Sequence, residues 1–219
     1  MLTFNPPFKI EHNWTNLIEL VKTTAKEFVH TDAYKESVLY EHGASIVSSL
    51  PNGGWISKSG PAHDFFVLGG VPETEAIQKA FETTFPTLTF TPATICYSSE
   101  DIPEHKDSPK NGKCSLVYTL QDCESFGTVR CVDEENKVVE TKVYNTFNKE
   151  RPVVLNIRCP HSVTIREERV WFSIHIHEDM ETVKKEFDKV STIVVQYTDS
   201  EAFASSLDKH SAATNEGEQ

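Results

Sequence analysis

Cys114-Ser115-Leu116-Val117-Tyr118-Thr119-Leu120 and Phe126-Gly127-Thr128-Val129-Arg130-Cys131-Val132 are two short runs rich in β-branched and aromatic residues, parted by a polar stretch. Such runs favour extended chain, because branched and aromatic side chains fit a pleated, half-buried surface. Working outward, segments 88–97, 138–144, 152–157 and 169–177 have the same character. Polar or Gly-containing turns such as Pro109-Lys110-Asn111-Gly112 and Glu134-Glu135-Asn136 separate them. Six or more short strands at this spacing predict an antiparallel sandwich or barrel, and the alternation in several suits a lined interior with a wet exterior. This zone spans about residues 87–177.

Residues 1–86 read as a helical and mixed segment packed on that core. Trp14, Leu17, Ile18, Val21, Ala25 and Phe28 recur at helical spacing and predict an amphipathic helix. A loop region with Gly43, Pro51, Gly53, Gly54 and Gly60 follows, then Phe65-Phe66-Val67-Leu68 as a strand ended by Gly69-Gly70. Pro72 opens a second helix whose core face is Ile77, Ala80, Phe81 and Phe85. After the β zone, Met180, Val183, Phe187 and Val190 share a helical face, and Ile193-Val194-Val195 is a last apolar run. Residues 178–208 are thus a C-terminal helix and extension. Residues 209–219 read as a mobile tail, rich in small and polar residues.

The chain has 219 residues, with 33 acidic and 21 basic side chains for a net charge of −12. A surface that negative repels phosphate backbones and disfavours nucleic acid or anionic membrane as partner. The first residues carry no basic stretch followed by an apolar run, and no apolar run approaches spanning length. The five cysteines, at 96, 114, 123, 131 and 159, are odd in number and lack Cys-x-x-Cys spacing. Neither a zinc ribbon nor a disulfide framework is indicated, and reduced thiols in a cytoplasmic protein are the expectation.

His105-Lys106-Asp107 carries the chemistry. Residues two apart on an extended chain point to the same side, so His105 and Asp107 can face one metal ion. Cys159-Pro160-His161-Ser162-Val163 follows the apolar strand Val153-Val154-Leu155-Asn156-Ile157 and offers His161 as third ligand. Two imidazoles and one carboxylate with open positions form the facial triad of non-haem iron(II) oxygenases.

This order, His-x-Asp, several strands, Pro-His-Ser-Val, then an Arg opening Arg169-Val170-Trp171-Phe172-Ser173-Ile174, resembles the iron(II)- and 2-oxoglutarate-dependent dioxygenases. The resemblance covers about residues 87–177. It implies a mainly β fold with flanking α-helices around a double-stranded β-helix, the cupin-like jelly-roll. It also implies Fe(II), 2-oxoglutarate as cosubstrate, and O2. In that family an Arg opening the strand after the distal His pairs with the far carboxylate of 2-oxoglutarate, for which a planar guanidinium is suited. Arg169 matches that place, with Arg166 as competitor. A Tyr hydroxyl commonly helps hold the cosubstrate, and Tyr97 and Tyr118 are the matching candidates.

The function implied is a hydroxylase, similar to prolyl or aspartyl/asparaginyl hydroxylases, that oxidises a substrate C–H and releases succinate and CO2. The compact ligand spacing points to a protein or peptide side chain first and a small metabolite next. Cupin-type metal proteins that need no 2-oxoglutarate share the β-rich pattern, as does a barrel that only binds. Structural readings stand beside each candidate. His105 and Asp107 could lie on a polar surface loop, and Arg169 could be one charge among Arg166, Glu167 and Glu168. His175 and His177 read as ordinary strand residues, Trp171 and Cys159 as packing, and His63-Asp64 as loop.

Overall fold

The computed structural model describes residues 1–30, 46–50, 54–58, 65–145 and 152–196. In chain order the elements are β1 (Thr3–Phe4), β2 (Lys9–Glu11), α1 (Thr15–Phe28), β3 (Ile46–Ser49), β4 (Trp55–Lys58), β5 (Phe65–Gly69) and α2 (Pro72–Thr84). The central strands follow: β6 (Thr94–Ser98), β7 (Ile102–His105), β8 (Cys114–Thr119), β9 (Ser125–Val132), β10 (Val138–Asn145), β11 (Val153–Asn156), β12 (His161–Ile165) and β13 (Arg169–Ile176). Helix α3 (Met180–Phe187) and β14 (Thr192–Val194) complete the described chain.

A large sheet runs β1-β11-β8-β13-β6-β5-β4-β3, and a four-stranded sheet runs β10-β9-β12-β7. From β6 to β13 the chain crosses repeatedly between these sheets, with every ladder antiparallel. That winding is a double-stranded β-helix. Strands β1 and β3–β5, from before residue 87, extend the large sheet at its two ends.

Several strands differ from the sequence reading, and β3 and β4 pair in the large sheet where a loop region was expected. Ile102-Pro103-Glu104-His105 is short, Pro-containing and exposed at three of its four residues, so it reads as loop. It is nonetheless a strand at the edge of the small sheet, where a proline costs no ladder bond. His161 likewise opens a strand, β12, that lies outside the expected strand segments. The first predicted strand, 88–97, is shorter than expected and starts at Thr94, with Phe90 making only an isolated bridge to Ile176. Pro92 has no N–H to offer a ladder there. At the turn before β8, Gly112 takes φ 95°, and a Cβ would lie 2.5 Å from the Ile176 carbonyl oxygen.

The main apolar core lies between the outer face of the large sheet and the three helices. Leu17, Val21 and Phe28 enter from α1, Ile77 and Phe81 from α2, and Val183 and Phe187 from α3. Phe8 and Phe85 pack on Phe187 at ring separations of 5.1 and 4.6 Å. Each buried Phe contributes about 1.5–3 kcal/mol relative to exposure, so this aromatic cluster is the fold's main anchor. Asp179 caps α3 by accepting from the Glu181 and Thr182 N–H groups, and β14 then pairs in parallel with β2. Gly43, Pro51, Gly53, Gly60, His63-Asp64 and the tail 209–219 lie outside the described residues. Among the described residues no helix is long and apolar enough to cross a membrane.

Candidate metal centre

His105 closes β7, and His161 opens β12 directly opposite it in the antiparallel ladder. Their rings sit with centroids 4.3 Å apart. Asp107 follows two residues after His105, and its N–H donates to the Ile157 carbonyl at 3.3 Å, which ties the loop to the end of β11. His105 Nε2 lies 3.6 Å from Asp107 Oδ1. One ligand atom from each of His105, Asp107 and His161 falls within 4.8 Å of the others.

Both imidazoles are held through Nδ1. His105 Nδ1 bonds the Pro103 carbonyl at 2.8 Å, and His161 Nδ1 bonds the Cys159 carbonyl at 3.0 Å. A carbonyl only accepts, so Nδ1 carries the proton and Nε2 keeps its lone pair for an ion. Burial holds the His161 imidazole below its ordinary value, so it is neutral near pH 7, as a ligand must be. The donor set is therefore suited to a divalent transition metal such as iron(II).

A cavity of about 290 Å3 opens beside these groups. Strand β13 contributes every second residue to it, namely Arg169, Trp171, Ser173 and His175, while Val170, Phe172, Ile174 and Ile176 face the main core. Arg169 is only 1% exposed, and its Nε and Nη2 have no hydrogen-bond partner among the described residues. Its guanidinium carbon sits 4.4 Å above the Trp171 ring, and Trp171 stacks on Phe65 at 5.4 Å. Burial pushes the Arg169 guanidinium down from its ordinary value. Uncompensated buried N–H groups are costly, and an anion in the cavity would satisfy them.

The structure thus brings His105, Asp107, His161 and Arg169 to one cavity. It puts Tyr97 and Tyr118 elsewhere, which corrects their expected role. In the ladders Val170 is opposite Tyr97, and Phe172 is opposite Tyr118. Directly opposed residues share a face, so both tyrosines lie on the helix side of the large sheet. The Tyr97 hydroxyl donates to Glu168 at 3.0 Å and that of Tyr118 to the Ile10 carbonyl at 3.4 Å.

The phenol in the cavity is Tyr144, which the sequence reading missed. Burial pushes its hydroxyl up to about 12, against the pull of nearby Arg169, so it stays protonated as a donor. Its ring crosses Gly127, its cross-strand neighbour, where an added Cβ would meet the Tyr144 ring at 1.8 Å. A Gly opposite a Tyr in a predicted hairpin is the signal that could have found it. Gly127→Ala is expected to expel this ring and destabilise the fold by about 1–3 kcal/mol. Thermal denaturation checks this, with Gly127→Ala/Tyr144→Ala regaining part of the loss if the clash is the cause.

His175 was also missed as a cavity residue. Its Nε2 lies 3.8 Å from Asp107 Oδ2, and burial holds its imidazole below the ordinary value. Ser115 and Ser173 share a hydrogen bond at 2.9 Å between them on the same wall.

No family model matches the chain, and no curated protein does. Solved structures do resemble it. The non-heme alpha ketoglutarate dependent epimerase SnoN from nogalamycin biosynthesis aligns at TM-score 0.43 and 9% identity, over 80% of this chain and 78% of that one. A 2OG-Fe(II) oxygenase family oxidoreductase from Burkholderia pseudomallei aligns at 0.41 and 17%, over 53% and 70%. The Escherichia coli ribosomal oxygenase YcfD aligns at 0.38 and 11%, over 69% of this chain but only 44% of its own length. The fold assignment rests on the strand order, since these likenesses are weak.

Proposed function

We propose that the chain is an iron(II)- and 2-oxoglutarate-dependent oxygenase, a hydroxylase acting on a protein or peptide side chain or on a small metabolite. One observation carries the reading. A His-Asp-His donor set and a buried arginine with two unpartnered N–H donor atoms line the same small cavity. A metal site alone would not require the arginine, whereas a bidentate carboxylate ligand would.

His105, Asp107 and His161 would hold the iron, which when bound supplies O2 activation coupled to decarboxylation of 2-oxoglutarate to succinate and CO2. The chain's own groups do the rest. Arg169 takes the far carboxylate of 2-oxoglutarate through its free N–H groups, and the protonated Tyr144 beside it donates a further bond. Val67, Ile102, Val163 and Trp171 exclude water from the reacting end. No side chain is needed as acid or base.

A second reading draws on His175. A third imidazole beside Asp107 is what a cupin-type centre independent of 2-oxoglutarate would carry. One experiment separates the two. Adding 2-oxoglutarate to the anaerobic iron(II) protein is expected to give a visible charge-transfer band, followed by succinate once O2 is admitted. Absence of both the band and succinate, with iron bound, would sink the 2-oxoglutarate reading in favour of the second.

A further inference from the structure

The five cysteines divide by environment. Cys96, Cys114 and Cys123 are buried, whereas Cys131 and Cys159 are partly exposed. The latter two pack against one small apolar cluster that includes Val129, Tyr144 and Ile157. Their relation follows from the β9–β12 ladder. It pairs Ser125 with Ile165 at one end and Val129 with His161 at the other, one step up matching one step down. The Arg130 N–H donates to the Pro160 carbonyl at 2.9 Å and so carries the ladder one place further.

The next place along brings Cys131 beside Cys159, which sits in the turn closed by its own N–H to the Asn156 carbonyl at 3.2 Å. Continued past the hydrogen-bonded Arg130–Pro160 position, the ladder would put this pair in its narrow, non-hydrogen-bonded class, where opposed Cα atoms approach to about 4.5 Å. A disulfide requires a Cα separation of about 4.4–6.8 Å. Cys131 shares the face of Val129, and Cys159 packs against the same small cluster, so the two thiols lie on one side of the sheet. Burial pushes the Cys159 thiol up and the adjacent Cys131 adds to the rise, as two neighbouring sulfurs should.

We propose that Cys131 and Cys159 are a reversible disulfide site that fastens the turn before His161 to β9. Hydrogen peroxide is the oxidant. One thiolate attacks it, the O–O bond breaks, and a sulfenic acid and hydroxide form. The second thiol then attacks the sulfenic sulfur, an S–S bond forms, the S–O bond breaks, and water leaves. Two electrons pass from the sulfurs to the peroxide oxygens, and a thiol or phosphine reductant reverses the bond.

The turn so fastened supports two of the candidate metal donors. Its Ile157 carbonyl accepts from Asp107 N–H, and its Cys159 carbonyl accepts from His161 Nδ1. If those residues bind the metal, as proposed above, the cross-link stiffens their support and slows metal loss. The cross-link itself does not depend on that reading.

Metal-free full-length protein is treated with hydrogen peroxide, alkylated in denaturant and digested without reduction. The expected result is a Cys131 peptide joined to a Cys159 peptide, separable by phosphine, with Cys96, Cys114 and Cys123 alkylated. Recovery of Cys131 and Cys159 as singly alkylated or over-oxidised residues overturns the site. In a second arm, Co(II) is loaded into reduced and oxidised protein and its release to a chelator is timed. Release is expected to slow by about tenfold on oxidation, the scale on which groups supporting a metal ligand act, and to be unchanged by peroxide in Cys131→Ser. Equal release from both wild-type forms overturns the clamp. Failure of both forms to take up Co(II) overturns the clamp together with the metal site, while the mapped cross-link stands.

Discussion

Arg169→Met is expected to make the protein more stable and unable to hold 2-oxoglutarate. The side chain is 1% exposed, and two of its nitrogen atoms lack partners among the described residues. Even paired buried ions can be replaced by well-packed apolar residues of similar volume with an effect that runs from neutral to about 1–4 kcal/mol stabilising, and an unpaired one has less to lose. In a chain of this size about 1 kcal/mol moves the melting midpoint by roughly 2–4 °C. The contact with the Trp171 face offsets part of the gain, since cation–π attraction is worth up to about 2 kcal/mol when desolvated. Binding should suffer in the opposite sense, because hydrogen bonds to charged groups contribute about 1.5–3 kcal/mol each. Two lost bonds would weaken 2-oxoglutarate by a hundredfold or more, since about 1.4 kcal/mol is tenfold. Melting curves with and without 2-oxoglutarate read both effects. A variant that melts lower without ligand, or keeps its 2-oxoglutarate response, would show that Arg169 is a structural residue.

The second large effect concerns the metal. Binding to the folded state alone stabilises by about 2.7 kcal/mol at a hundredfold excess over Kd, so Mn(II) or Co(II) should raise the melting midpoint of the wild type. Chelator should reverse the rise. His161→Ala and Asp107→Ala should each abolish it, because two ligands on a small site hold an exchangeable divalent ion poorly. His175→Ala should retain most of it if three donors suffice. A wild-type response persisting in His161→Ala would dismiss the site, and loss of the response in His175→Ala would favour a centre with a fourth ligand.

The candidate donors and the strand content were more legible in the sequence than the faces. His-x-Asp and Pro-His carry their meaning in local spacing, so His105, Asp107 and His161 were readable without a fold. Arg169 was readable because it opens an obvious strand. Tyr97 and Tyr118 were misread because the side a strand residue faces depends on register, and register is a relation between distant segments. Once Val170 and Phe172 are known to face the helices, the tyrosines opposite them must do the same. Tyr144 was hidden for a related reason. Residues 138–143 before it are exposed on both sides, so no alternation marks which face matters. His175 lacked a signal because its partner, Asp107, lies on a different element.

Strand β13 and its neighbours divide their duties by parity. Phe172 and Ile174 supply cohesion on one side, whereas Ser173, Ser115 and Thr94 shape the cavity on the other. Few side chains have to do both. Exchanging Ser115, Ser173 or Thr94 leaves the aromatic anchor beneath intact, whereas Trp171, Val163 and Leu155 line the cavity and also pack in smaller apolar clusters. If the cavity receives a substrate as proposed, these three small polar positions are where single replacements would retune its fit while the helix-side core is left alone.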